Sequence, residues 1–502
     1  MASINEDFIQ TGTKEINEPS WLSEMRRKAF SQYVALPSEV SPLYTKYSGI
    51  SLLKPDSIQL ASTNPADIIK PNDDLKDRLK ELREGTGALQ IGSAQSMMFV
   101  TDTVSRQGVI ICDIRVAVAK FEELVKEYLF ANPLNYSEDK FLALEASAFR
   151  SGVFIHIPKN TVVEYPIRIV TSLGEDGISL INRNIVGIGE GSKATVVQEL
   201  YAPDVTNLDR VGDDHQRQPA HERHQDQNGI LDQNQNHDQN SQQAYFELFE
   251  THVGANSHLE VVTLQAMGGD STLNISNKKA FVERDAKMSW YIGMFGSQLS
   301  RCKTDSIMKG SGSSAEDVQI IFGIRNQSFD ITSNLLHWGT NSRGRVLVKS
   351  VLKDSSKSLF KGMIKIGKDA RGTESYLAGH AILLDKGSKS DSIPGLEIET
   401  NEVKATHSAS VAQIDENQIF YLMTRGLSRE GAKREIVNGF LEPLSRRMAP
   451  TIRAWINYLI ENKWLGSPLM LRTDEAMEQI LEVEKSRYRE TQDLFEKHYK
   501  YR

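Results

Sequence analysis

The sequence predicts a mainly β chain: a stacked β-solenoid core flanked by α-helical regions. Three observations point there. From about Phe141 to Ile414, short runs rich in β-branched and aromatic residues recur, among them VFIHI, TVVEYPIRIV, SLINRNIVGI, HLEVVTLQAM, VLVKSVL and SYLAGHAILL, separated by Gly, Asp, Ser and Lys turns. No helical stretch long enough for a βαβ crossover divides the runs, which speaks against a doubly wound sheet. The late turns are also nearly regular: KDSSKS starts at Lys353, GKDARG at Gly367, DKGSKS at Asp385 and ETNEVK at Glu399, spacings of 14, 18 and 14 residues. A sandwich or barrel remains open on pattern alone, but rungs sustained over roughly 250 residues favour a solenoid.

A chain of 502 residues suffices for a large core and more than one domain. Its net charge of −7 offers no basic field, so nucleic acid is not an expected partner. No run approaches the roughly 18 apolar residues of a membrane span. The opening MASINEDFIQTGTKEINEPS is polar and partly acidic, without an apolar signal core, and reads as cytoplasmic. Two cysteines, Cys112 and Cys302, exclude a disulfide scaffold and a Cys-only cluster site within one chain.

Residues 1–135 read as a helical and loop region. Trp21, Leu22, Met25, Ala29, Phe30 and Tyr33 give an amphipathic helix stopped by Pro37, Asp73 to Glu84 a charged helix, and Val118 to Ala131 a third. Residues 136–414 form the β core, interrupted by Val205 to Gln243, where 24 of 39 residues are Asn, Gln, Asp or His. His215, His221, His224 and His237 there allow a metal-scavenging reading, but their spacing matches no zinc pattern. A disordered insertion fits the composition better. Residues 415–502 are helical. Asp415 with Gln418 caps a helix ending at Gly426, and Ser428 caps the next, whose Ile436, Val437, Phe440 and Leu441 share a face. Pro450 opens a third helix, and Thr473 caps a long charged one reaching toward Tyr499.

Familiar catalytic signals are absent: no Walker A loop, no G-x-S-x-G elbow, no H-E-x-x-H. GIGEGS, Gly187 to Ser192, lacks the Lys-Ser/Thr ending of a phosphate loop. A solenoid lyase or hydrolase would need converging carboxylates, and the acidic residues are scattered. The chain is therefore expected not to be an enzyme. Of the histidines outside the insertion, His407 stands out because Thr406, Ser408, Ala409 and Ser410 around it are small, leaving the imidazole reachable by a metal or a second chain. A single His is not a site, so further ligands from another subunit are required.

The segment GLEIETNEVKATHSASVAQIDENQIFYLMTRGLSREGAKREIVNGFLEPL resembles the C-terminal signature of the SufB/SufD family, scaffold proteins of the SUF iron–sulfur cluster assembly machinery. The matching elements are Leu396 to Ile398, T-H-S-A-S-V-A-Q-I-D from Thr406 to Asp415, and I-F-Y-L-M-T-R-G from Ile419 to Gly426. SLFKGMIKIGKDARGTESYLAGHAILL resembles the family's last rungs and WLSEMRRKAFSQYVALP its N-terminal helix. The resemblance implies a right-handed parallel β-helix between helical regions, pairing with a SufB-type paralogue or a second copy of itself. It also implies docking of the ABC ATPase SufC on the C-terminal helices, through Gln418, Ile419, Phe420, Leu422, Met423, Arg425 and Gly426. Ile419, Phe420, Leu422 and Met423 offer more apolar surface than a short helix buries internally, although plugging the solenoid end is the alternative. SufB-like chains carry a Cys in the late rungs and a Glu just after the motif His. Here Ser375 to Asp391 contain no Cys and Ser408 follows His407, so the chain is more SufD-like, with His407 at the partner interface. Alternatives are a SufB-like homodimeric scaffold and a β-helix platform without metal. No cofactor is expected to bind stably to the chain alone; iron or a nascent cluster would be held at a shared interface.

Overall fold

The β runs stack as about seven turns of a solenoid in a computed structural model of the chain, of which 43% is strand. The structure describes residues 18–45, 47–60, 73–94, 96–174, 178–202, 242–268, 272–467, 469–471 and 477–482. The N-terminal part supplies helices α1 (Ser20–Ala35), α2 (Asp73–Glu84), α3 (Asp102–Arg106), α4 (Ile114–Lys120), α5 (Glu122–Ala131) and α6 (Lys140–Ala148). Between them run strands β1 (Gln59–Leu60), β2 (Thr86–Ile91), β3 (Met97–Phe99) and β4 (Ile110–Asp113). Then follow β5 (Val153–Ile157), β6 (Ile167–Ser172), β7 (Ile178–Ile188), β8 (Lys193–Tyr201), β9 (Gln243–Val253), β10 (His258–Gln265), β11 (Thr272–Val282) and β12 (Lys287–Met294). The series continues with β13 (Leu299–Met308), β14 (Ser314–Gly323), β15 (Ser328–His337), β16 (Arg343–Leu352), β17 (Lys357–Ile366), β18 (Glu374–Leu383), β19 (Lys389–Ile398) and β20 (Lys404–Gln413). Helices α7 (Glu416–Thr424), α8 (Arg429–Ser445) and α9 (Pro450–Leu465) follow.

From β5 onward successive strands alternate between two sheets, one ordered β19-β17-β15-β13-β11-β9-β7-β5-β4, with β1 beside β7, and the other β20-β18-β16-β14-β12-β10-β8-β6-β2-β3. Ser328 pairs with Lys357 and Lys357 with Lys389, so one rung takes about 30 residues, within the range of solenoid repeats. Two consecutive late turn spacings make one such rung. Lys193 pairs directly with His258, so the tract between them leaves and rejoins the ladder without breaking its register. Gln242 bridges Ile58 and Gln243 opens β9; the rest of the Asn/Gln-rich tract, with its four histidines, lies outside the described residues.

The turns on one side repeat a left-handed residue. Asn160, Asn256, Asp285 and Asn341 have φ of 53–56°, and the same slot is Gly312 and Gly372, both at 70°. Asn and Asp tolerate this conformation and Gly has no Cβ to oppose it, so they interchange there. In each case the N–H donates to the carbonyl of the next rung, as Asn256 does to Arg284 (2.9 Å) and Asn341 to Arg371 (2.7 Å).

Burial along the strands records what covers them. The lumen between the sheets is packed by Val261, Trp290, Ile292, Ile331, Val346, Phe360, Ile364 and Leu377. The N-terminal helices cover the outer face of the first sheet over β7, β9 and β11, burying Phe141, Phe154, Phe246 and Ile275. Helices α8 and α9 cover the second sheet through Val437, Leu441, Ile456 and Leu459 against Tyr291, Val318 and Phe322. With both faces buried, β9 and β11 read as continuous runs, whereas β15 and β16, with less cover, alternate. Outer-face charges are paired where covered: Arg183 with Glu250 (2.7 Å), Lys279 with Asp305 (2.8 Å), Arg301 with Asp139 (2.5 Å) and Lys361 with Asp330 (2.7 Å).

Three expectations change. Strands β2, β3 and β4 fall inside residues 1–135, read from sequence as helical and loop, and join the two sheets at the solenoid end. The stretch from Phe141 is helix α6: Phe141 to Ala148 are buried on every side, which removes the 3.6-residue period that marks a helix in sequence. Asp139 starts it, its carboxylate accepting from the N–H groups of Phe141 and Leu142 and held low, to about 2, against the cost of burial by the Arg301 charge. The helix expected over Val118 to Ala131 is two helices, broken at Phe121, which lets the apolar residues of both reach one core. The charged helix after Thr473 is described only at 477–482, where Met477 is buried, and its reach to Tyr499 lies outside the described residues.

Phe360 fills the lumen above Gly379, where a Cβ would lie 2.2 Å from its ring. Phe360→Ala is expected to lower stability by about 3–5 kcal/mol, read as an earlier midpoint in chemical denaturation.

Candidate functional site

The solenoid is open at its C-terminal end. Among the described residues β19 pairs with β17 alone and β20 with β18 alone, so each sheet ends there in a strand with one unpaired backbone edge. Both strands are largely solvent-accessible, unlike the rungs before them. The two edges differ chemically. β19 carries Pro394 and the charges of Lys389, Asp391 and Glu397, features that blunt an edge against pairing. From Ala405 to Gln413, β20 has neither charge nor proline.

Register decides where His407 points. Trp290, Asp317, Val346, Leu377 and His407 form one ladder column across β12, β14, β16, β18 and β20. Trp290, Val346 and Leu377 are luminal and fully buried. His407 therefore occupies the inward position of the last rung, exposed because no further rung covers it. Val411 on the same face, and Leu396 and Ile398 on the corresponding face of β19, are exposed apolar side chains for the same reason. The serines beside His407 point the other way: Ser410 Oγ lies 2.7 Å from Nδ1 of His380 and Ser408 Oγ 3.4 Å from its Nε2. Burial, with the Lys349 charge, lowers the His380 pKa.

Two histidines within the core are structural. His337 is buried between the hydroxyls of Ser342 (2.8 Å) and Ser375 (3.0 Å), and desolvation pushes it down to about 4. His252 is held near the same value by burial. The cysteines are equally unavailable. Cys302 is luminal and Cys112 sits under the N-terminal helices, and burial pushes both thiols up to about 12. Among the described residues, no group of three or more His, Cys, Asp or Glu could hold a metal ion. His407 offers one nitrogen donor, and a complete ligand set would need donors beyond the described residues.

The helix beyond the open end is a second surface. Asp415 starts α7 by accepting from the N–H of Asn417 (2.8 Å), and Gly426, at φ 95°, ends it. Ser428 then caps α8. Arg429 reaches back to both carboxylate oxygens of Glu416 at 2.7 Å, tying the two helix starts together. Ile419 is fully buried, so this expected contact residue is instead the anchor that holds α7 down. Gln418, Phe420, Met423, Arg425 and Gly426 are exposed and Leu422 is half-buried, with Phe420 the most open of the large side chains at 69%. Tyr421 and Leu427, which sequence reasoning left out, complete the apolar patch. Only their adjacency to the motif marked them. The Arg425 guanidinium sits 5.1 Å over the Tyr421 ring. Exposure of β19 and β20 removes the alternative that this helix plugs the solenoid.

Comparison with known proteins agrees with this architecture. A family model described as the SufBD core domain of SUF system FeS cluster assembly matches residues 221–440, and one described as the SufBD protein N-terminal region matches residues 7–169. An iron–sulfur cluster assembly SufBD family protein of Staphylococcus haemolyticus is 25% identical over 473 residues, covering 92% of this chain and 94% of that one. Similar proteins of the same description in Staphylococcus epidermidis and Staphylococcus aureus strain USA300 are 24% identical, with the same coverage. No helix among the described residues is long and apolar enough to cross a membrane.

With both thiols buried and neutral, iodoacetamide at about pH 8 is expected to leave Cys112 and Cys302 unmodified in the folded protein and to label both after denaturation, read by mass spectrometry.

Proposed function

Because the chain belongs to the SufB/SufD family of iron–sulfur cluster assembly proteins, we propose that it serves as a non-catalytic scaffold subunit that shares a metal site with a partner β-helix. The observation that carries this reading is the open last rung, which puts an exposed imidazole beside an uncharged, unpaired strand edge. A second solenoid docked end to end would cover Leu396, Ile398 and Val411 and surround His407 with its own donors. Iron or a forming cluster is cargo at that junction, where the imidazole supplies one nitrogen and the partner supplies thiolates or carboxylates. This chain has no thiolate to give, which supports a SufD-like role beside a Cys-bearing SufB-type paralogue in cytoplasmic iron delivery and cluster assembly. A homodimer would bring together two such ends, each with His407 and no accessible Cys.

The patch on α7 is the docking surface for a SufC-type ABC ATPase in this reading. Its aromatic side chains stand on a helix fixed by a cap, a salt bridge and one buried anchor, so they meet a partner with little ordering cost. Nucleotide-driven movement of that partner would pull on α8, whose Val437 and Leu441 pack against the second sheet, and so bias the junction at the open end.

Two substitutions separate these roles. In a co-expressed complex with the ATPase and paralogue, His407→Ala is expected to leave assembly intact and to lower iron and sulfide content by about tenfold or more; unchanged loading in an intact complex would remove the ligand role. Phe420→Asp is expected to weaken ATPase capture by about 30-fold while the circular dichroism of the solenoid is retained, and undiminished capture would place docking elsewhere.

A further inference from the structure

The lumen is polar in its middle rungs and apolar near its open end. Lys278 there is matched by Glu247 (2.9 Å) and Gln198 (3.0 Å). Asp317, one rung further on, has no such cation. Its carboxylate is buried, and only Oδ2 is satisfied, accepting from Ser333 Oγ (2.5 Å) and from Gln319 Nε2 (2.8 Å). Oδ1 has no hydrogen-bond partner, and neither has the carbonyl oxygen of Gln319. Asp317 and Gln319 are successive inward positions of β14, so the two orphaned acceptors belong to side chains already joined by one hydrogen bond. Two acceptors without a donor, one of them on a desolvated carboxylate, are each costly, and one proton on Oδ1 would resolve both.

We infer that Asp317 carries a proton in the native solenoid, its Oδ1–H donating to Gln319 Oε1 while Gln319 Nε2 donates back to Oδ2, a cyclic acid–amide pair that makes the lumen proton-sensitive. The surroundings agree. From β12 the neighbour in register is Trp290, whose buried indole N–H has no hydrogen-bond partner, and from β16 it is Val346; neither brings a charge. Cys302 of β13 is a neutral thiol, Ser333 of β15 is uncharged, and the carboxylate next in sequence, Glu316, points to the outer face and repels negative charge. Burial raises Asp317 to about 6. Asp317 stands in the column that ends at His407, with Val346 and Leu377 between them, so the proton lies beneath the junction without touching it.

A folded-state value above the unfolded one makes the bound proton stabilising at low pH, and that contribution disappears as pH rises through about 6. The test compares the full chain with Asp317→Asn, which keeps the shape and a donor toward Gln319 at every pH. Between about pH 4.5 and pH 7.5 the wild-type thermal midpoint is expected to fall relative to the variant, reflecting about 25-fold in the folding equilibrium. Wild-type-minus-variant infrared spectra, in which the buried Glu145 carboxyl common to both cancels, are expected to show one protonated-carboxyl band that is lost on raising the pH. Parallel midpoints together with no such band would overturn the assignment. So would sodium or potassium ions stabilising the wild type and not the variant, since a cation would then occupy the position assigned to the proton.

Discussion

Every rung of this protein depends on the one beside it. Parallel strands in register satisfy their backbone groups only through neighbours on both sides, and inward side chains are covered only when a rung lies above and below. That constraint explains the quiet middle and the reactive end. Trp290, Val346 and Leu377 are sealed by their neighbours, while His407, next in the same column, is open because the stacking stops. At the other end the sheets finish in antiparallel β3 and β4 beside the N-terminal helices, whereas at the C-terminal end the last parallel strands are exposed.

The outer layers divide into two jobs. On the first sheet, N-terminal helices cover a lattice of charges that are individually expensive to bury and are matched by opposite charges, as Arg301 is by Asp139 and Lys361 by Asp330 and Glu39. On the second sheet, α8 and α9 are fastened by side chains that donate to backbone carbonyls: Lys349 to Phe440, Lys463 to Phe295, and the Tyr291 hydroxyl to Arg447. The same helices carry the α7 patch. Anything bound to α7 is therefore linked through α8 to strands β16 and β14, two and three rungs behind the open edge.

Much of this was legible in the residues. Turn chemistry marked the late rungs because the left-handed slots admit only Gly, Asn and Asp readily, and caps at Asp415 and Ser428 with Pro450 in the first turn marked the last helices. Where reading failed, burial was uniform. Phe141 to Ala148 has no polar face to set a helical period, and β2 to β4 are too short and too mixed with helix to announce themselves. Ile419 and Phe420 are neighbours in a single motif, yet one is sealed and the other bare, a difference of helix face that composition does not carry.

The sequence by itself determined that the chain stacks in rungs, that helices flank the stack, that thiolates are too few for a cluster, and that His407 lies in the motif beside the last turn. These follow from period, turn residues and counts, which are local properties. Only the tertiary structure decided that His407 faces inward on a bare rung, that both cysteines are buried, that α7 leaves the end open, and that Asp317 is enclosed without a counter-charge. Those outcomes depend on which columns the register aligns and which faces the flanking helices cover, and neither is written in any one segment.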